Sequence, residues 1–107
     1  MDLTNIKAYN YDPAPKKTGE DFGLTVTFTD AITGLTFTAF LKLLTKSNTA
    51  VLTFTCTANT GAKTVYVSSA NTALDLLDRG KYDFEFWVTD GTGFSTRLIY
   101  GKLDLTK

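Results

Sequence analysis

The stretch KYDFEFWVTDGTG, residues 81–93, decides the fold. Tyr82, Phe84, Phe86 and Val88 fall on one side of an extended chain, and Lys81, Asp83, Glu85, Trp87 and Thr89 on the other. Successive side chains of a strand point to opposite faces. The first set therefore reads as one wall of an apolar core, and the second as a face turned to water. The single tryptophan, Trp87, falls among acids on the wet side. The closing DGTG reads as a hairpin turn.

The same period of two recurs outward from this strand. In FGLTVTFTD, Phe22, Leu24, Val26 and Phe28 share one face while Thr25, Thr27 and Thr29 share the other. DAITG (residues 30–34) reads as a turn, with Gly34 supplying the backbone freedom. LTFTAFLKLL, residues 35–44, is a strand of ambiguous phase: Phe37, Leu41 and Leu43 form one set, Phe40 and Leu44 the other. KSNT turns the chain, VLTFTCTA reads as one strand with Leu52, Phe54 and Cys56 inward, and NTGAK leads into a short strand, TVYVS. In SSANTALDLLDRG the period changes, with Ala70, Leu74 and Leu77 at helical spacing. Asn71 or Thr72 is placed to cap a short helix and Gly80 to close it. The last strand, RLIYGKLDLTK, slips in phase from Leu98 and Tyr100 to Leu103 and Leu105, which places a bulge at Gly101. The pattern predicts an all-β, antiparallel β-sandwich of about seven strands with one short helix, spanning residues 21–107. A closed barrel is the structural alternative. Residues 1–20 hold both prolines and read as an N-terminal arm, with a first edge strand in LTNIKAY.

Composition excludes most chemistries. A chain of 107 residues is the size of one domain. It carries 11 acids, 11 bases and no histidine. Without imidazole, ordinary zinc sites and most general-base catalysis near neutral pH lose their usual group. The carboxylates are scattered along turns and strand exteriors, so no acid/base pair is indicated. We expect no enzymatic activity and no cofactor. No basic run is present to bind nucleic acid; Lys16 and Lys17 are a solvated pair. No apolar run approaches the length of a membrane span. MDLTNIKAYNYDPAP lacks the pattern of a signal peptide, and the lone Cys56 has no internal disulfide partner. These features point to folding in a reducing cytosol.

Asp78, Gly80 and Tyr82 in DRGKYDF carry a first resemblance. An Asp-x-Gly-x-Tyr spacing is similar to the corner before strand F of immunoglobulin-like domains, where the tyrosine hydroxyl bonds back to upstream backbone. The cysteine that follows two positions later in that family is Phe84 here, and LTFTAFLKLL lacks the strand C tryptophan. An apolar core must replace the disulfide. A second resemblance is carried by GEDFGLTVTF, LLDRGKYDFEF and YGKLDL (residues 19–28, 76–86 and 100–105). Together they resemble the small sandwich domains of tailed-bacteriophage virion proteins, which decorate capsids or anchor fibres and baseplate parts. That resemblance implies a non-catalytic structural protein, made in the host cytoplasm and residing in the virion. Its partners would be phage structural proteins and further copies of itself. A carbohydrate-binding or adhesion module is the alternative.

Four side chains are candidates for partner binding: Ile6, Tyr9, Tyr11 and Trp87. Tryptophan and tyrosine are enriched at interface centres. Trp87 admits three other readings: cover by Tyr9, Tyr11 and Pro13 of the arm, a sugar platform flanked by Asp83 and Glu85, or no role at all. A groove exposing both Trp87 and Tyr66 would mark the sugar reading, and an arm detached from the sandwich would mark assembly. TDGTG with Asp90 also offers a calcium loop as an alternative to the hairpin turn.

Overall fold

The structure, a computed structural model, describes residues 8–43 and 50–106. Ile6, most of LTNIKAY, the KSNT turn and Leu44 lie outside the described residues. In chain order the elements are β1 (Tyr9–Asn10), β2 (Lys16–Lys17), β3 (Phe22–Thr27), β4 (Thr36–Leu43), β5 (Ala50–Thr53), β6 (Thr55–Asn59), β7 (Thr64–Ser69), α1 (Asn71–Leu74), β8 (Gly80–Thr89) and β9 (Ser95–Thr106). They form two sheets. The larger has the order β1-β9-β8-β4-β5, with β2 also on β9; the smaller has the order β3-β7-β6. The protein is thus an all-β sandwich rather than a closed barrel. Among the described residues all pairings are antiparallel except those of β1 and β2, which lie parallel to β9.

The core follows the alternation. Phe84, Phe86 and Val88 of β8 are fully buried, as are Leu41 of β4, Val65 and Val67 of β7, and Leu103 and Leu105 of β9. Phe22 and Phe54 close on Phe84 from the smaller sheet side, with ring centroids 5.7 and 5.6 Å away. In β4 the phase resolves with Phe37, Ala39 and Leu41 inward and Phe40 outward; Leu43 ends exposed at the strand tip. Ile32, in the segment read only as a turn, plugs the core at 1% exposure.

Several local expectations are corrected. VLTFTCTA is two strands. At Phe54 the chain leaves the larger sheet, where Leu52 pairs with Leu41, and enters the smaller, where Cys56 pairs with Val67. Alternation survives because the inward side of both sheets is the same core. The bulge lies opposite the Phe86/Trp87 step, so the phase slips at Leu98 and Tyr100 turns outward. The helix is a single turn with Ala70 at its N-cap position and no side-chain cap. Asn71 is inside it, and its backbone N–H donates to Asp21 Oδ1 at 2.7 Å. Gly80 opens β8 rather than closing a helix.

The described part of the arm is laid along the sheet, not detached from it. Tyr9 and Asn10 pair with Ile99 and Tyr100, Lys16 and Lys17 pair with Leu105 and Thr106, and Pro13 is buried. Gly101 sits between these two contacts, where a Cβ would overlap the Tyr11 carbonyl and approach the Asp12 carboxylate at 2.9 Å. A missing side chain, not a bulge, is what this position requires. The Asp12 Oδ1 then accepts the Lys102 backbone N–H at 2.9 Å. Gly101→Ala should therefore lift the arm or strain it, at a cost of about 1–3 kcal/mol, the usual range for overpacking. Denaturant unfolding should show the loss, with faster tryptic cleavage at Lys16 and Lys17. Unchanged stability with an unchanged cleavage rate would show that the arm does not close on Gly101.

Candidate functional site

The strand pairing brings Trp87 between Thr38 on β4 and Arg97 on β9, and Glu85 between Phe40 and Tyr100. All of these lie on the outer face of the larger sheet. Glu85 is only 9% exposed, although it faces away from the core. Trp87 Nε1 donates to its Oε1 at 2.8 Å. Lys42 Nζ and Arg97 Nη1 lie 3.5 and 3.7 Å from its Oε2. The two cations also lie over aromatic rings, Lys42 5.2 Å from the Phe40 centroid and Arg97 4.8 Å from that of Tyr100. Trp87 is half-buried because its indole forms part of the lid over this carboxylate. A charge shielded from water persists where opposite charges and donors surround it, and here one N–H donor and two cations converge on one side chain. The result is a fixed platform of tryptophan, arginine, tyrosine and phenylalanine. Lys102 pairs with Asp83 beside it. Asn10, Asp12 and Asp83 line a polar recess of about 370 Å³ next to the platform.

Tyr9 and Tyr11 are elsewhere. Tyr9 pairs with Ile99, whose neighbour across the ladder is the inward Phe86, so the two tyrosines project toward the gap between the sheets. There they line a cleft of about 500 Å³ with Leu24, Val26, Phe28, Leu98 and Ile99. Tyr9 remains 67% exposed. The sequence-derived set is thus divided: Trp87 on the outer face, Tyr9 and Tyr11 at the cleft, and Ile6 outside the described residues. The arm tyrosines do not cover Trp87. Tyr66 also stands apart, on the outer face of the smaller sheet with its hydroxyl over Gly23, so it shares no groove with Trp87.

Sequence reading missed Phe40, Lys42, Arg97 and Tyr100. Their signal is positional: they are cross-strand neighbours of Glu85 and Trp87, and become visible only when the β8–β9 register and its bulge are known.

Asp78, Gly80 and Tyr82 form a corner at the start of β8. The Tyr82 hydroxyl donates to the Asp78 carbonyl at 2.7 Å. Gly80 has φ +147°, a backbone region that side-chain-bearing residues rarely enter. Arg79, not foreseen, donates to the carbonyls of Leu74, Leu77 and Thr106 at 2.8, 3.1 and 3.3 Å, tying the helical turn to the end of β9. At the other end of the sheet, Asp90 Oδ1 accepts the Thr92 hydroxyl at 2.6 Å and the N–H groups of Thr92 and Phe94 at 2.8 and 3.1 Å. These bonds, the Thr92 hydroxyl foremost, hold its carboxyl below the ordinary value, and they are the bonds of a turn. Among the described residues, no group of three or more acidic or cysteine side chains is placed to hold a metal. Burial pushes the half-buried Cys56 thiol up, away from the reactive thiolate.

No protein-family model matches the chain, and no curated protein matches its sequence.

Two predictions test this geometry. Lys42→Ala and Arg97→Ala should each cost about 1 kcal/mol or less, because the surviving cation still neutralises Glu85. The double variant should exceed their sum by about 0.5–3 kcal/mol, the coupling expected of residues sharing one partner. Additive losses in denaturant unfolding would show that Glu85 does not depend on either cation. For the corner, Tyr82→Phe should cost on the order of 1 kcal/mol, the value of one hydrogen bond. Burial first, and the Asp78 charge second, raise the Tyr82 phenol above its ordinary value. Its contribution is therefore complete below the unfolded phenol pKa of about 10 and fades as pH rises through the folded value. Stability measured from pH 8 upward should fall more steeply for the wild type than for Tyr82→Phe; parallel curves would refute the assignment.

Proposed function

We propose that the chain is an immunoglobulin-like sandwich that serves as a non-catalytic structural protein of a tailed-bacteriophage particle, binding a capsid or tail/baseplate protein. The observation that carries the binding role is the Trp87–Arg97–Tyr100–Phe40 platform held over Glu85. These residue types dominate the centres of protein interfaces. Glu85 locks several of the side chains in place, so little rotamer freedom remains to be lost on binding. The immunoglobulin-like assignment is supported by strand order. β3-β7-β6 corresponds to strands B, E and D, and β9-β8-β4-β5 to G, F, C and C′. The Tyr82 to Asp78 bond falls where that fold places its tyrosine corner. The phage context is supported by the resemblance carried by GEDFGLTVTF, LLDRGKYDFEF and YGKLDL.

The test is particle association. Wild-type chain should co-sediment with density-purified phage particles at a fixed ratio to the major capsid or tail protein. Trp87→Ala and Arg97→Ala should lose that association by tenfold or more while keeping the wild-type circular dichroism. Association that survives both substitutions would remove the platform from the interface. Absence of the wild-type chain from particles, together with glycan binding that Trp87→Ala abolishes, would replace this function with the carbohydrate-binding alternative.

A further inference from the structure

The outer face of the smaller sheet lies on the opposite side of the sandwich from the platform. Its outward positions hold threonine, serine, asparagine and glycine, with one aromatic residue, Tyr66, on the central strand β7. Across the sheet Tyr66 pairs with Thr25 on β3 and Thr57 on β6. The next row is Gly23, Ser68 and Thr55. Neighbouring strands lie about 4.8 Å apart, so hydroxyl groups flank the tyrosine on both sides. The ring does not stand away from the sheet. A Cβ at position 23 would overlap the Tyr66 hydroxyl and approach its Cζ at 3.2 Å. The ring is therefore laid across the sheet, with its hydroxyl end over the bare backbone of Gly23. Glycine weakens the interior of a strand; here the missing side chain is the room that the ring takes. Tyr66 is still 48% exposed, so one side of it rests on the sheet and the other is open.

We propose that this face binds a neutral polysaccharide, with one sugar ring stacked on Tyr66 and its hydroxyls on Thr25 and Thr57. Charge selects this class of ligand. Nucleic acids and anionic lipid surfaces are held by cations, and β3, β6 and β7 contain no charged residue. Protein interfaces are built around several aromatic and arginine anchors, to which serine and threonine add little. A neutral sugar matches what is present. The C–H face of a pyranose lies on an aromatic ring, and its rim of hydroxyls meets side-chain hydroxyls that both donate and accept. Binding of an uncharged ligand to an uncharged face leaves no unpaired charge out of water. The seat on Gly23 also fixes the ring beforehand, which lowers the entropy lost on binding. A chain held through the platform leaves this face free, and the sugar site does not depend on that contact.

The experiment is affinity electrophoresis of the isolated chain in native gels containing dextran, galactomannan, xyloglucan or amylose, with polygalacturonate as the anionic comparison. At least one neutral polymer should retard the wild type, to the same extent at low and high salt. Tyr66→Ala should weaken that binding by about tenfold or more, the loss of one stacking contact, whereas Tyr66→Phe should keep it. The double variant Thr25→Val and Thr57→Val retains the shape and strand preference of both positions and should also bind more weakly, with the wild-type circular dichroism. Trp87→Ala should bind as the wild type does. Retardation by none of the neutral polymers overturns the proposal, and so does retardation by polygalacturonate alone. Unchanged binding in both the Tyr66→Ala and the double threonine variants overturns it as well. Binding lost in Trp87→Ala but kept in Tyr66→Ala would move the sugar to the platform and overturn this site.

Discussion

The aromatic contacts across the two sheets are the constraint on which the rest of the structure depends. Phe84 and Phe86 occupy alternate positions of the central strand β8. Phe84 meets Phe22 and Phe54, which lie 4.7 Å from each other, and Phe86 stacks on Phe37 at 5.7 Å and 6°. Phe28 extends the series against Phe37 at 5.5 Å. No disulfide joins the sheets, since Cys56 is the only cysteine. Aromatic pairs contribute about 0.5–1.5 kcal/mol each beyond the area they bury. A handful of them matches the roughly 2–4 kcal/mol that a typical disulfide supplies. Phe84, at the centre of this cluster, thus joins the sheets by packing in the folded chain rather than by a covalent constraint on the unfolded one. It also makes the sandwich independent of redox conditions.

That core fixes the register of β8, and the register fixes the outer face. Because side chains alternate, placing Phe84 and Phe86 inward forces Glu85 and Trp87 outward. The bulge opposite Phe86/Trp87 then decides what stands beside them. Without it Tyr100 would follow Leu98 into the core; with it, Tyr100 and Arg97 both face out, and Arg97 reaches both the Tyr100 ring and Glu85. The platform is therefore a consequence of one extra residue in β9. The same strand carries the arm on its other edge, where Gly101 leaves room for the Tyr11 carbonyl. β9 links the platform, the arm and the cleft.

Much of this was legible in the sequence wherever a single face is buried. The period-two runs around Phe22 and Phe84 revealed their strands and inward sets directly, and the run around Phe54 its inward set, since a one-residue slip would expose every apolar side chain. The two-sheet architecture followed from the same runs. What stayed hidden depended on a partner far along the chain. The switch between sheets at Phe54 leaves no mark, because both sheets bury the same side of the chain. Gly101 read as a bulge because the strand pressing on it, around Tyr11, is ninety residues upstream. The cap of α1 was sought among its neighbours Asn71 and Thr72, whereas its acceptor is Asp21. Trp87 was marked as out of place by composition alone. Its cause, the Glu85 cluster, draws one cation each from β4 and β9, and no local window contains all three strands.

The distribution of charge separates the two candidate surfaces physically. β3, β6 and β7 contain no charged residue, while the outer face of the larger sheet carries Lys42, Asp83, Glu85, Arg97 and Lys102. On the larger sheet these charges are paired with one another, and Glu85 is shielded from water. Mobile salt weakens exposed pairs most and buried ones least. Attraction of a partner to the rim of that face is therefore sensitive to ionic strength, whereas the internal clamp around Trp87 is not. The edge of β3 has only backbone dipoles and apolar contacts to offer, and these respond little to salt. The described β3 edge thus lacks the charge, proline or bulge that commonly protects a sheet edge, and what it presents is backbone and apolar surface.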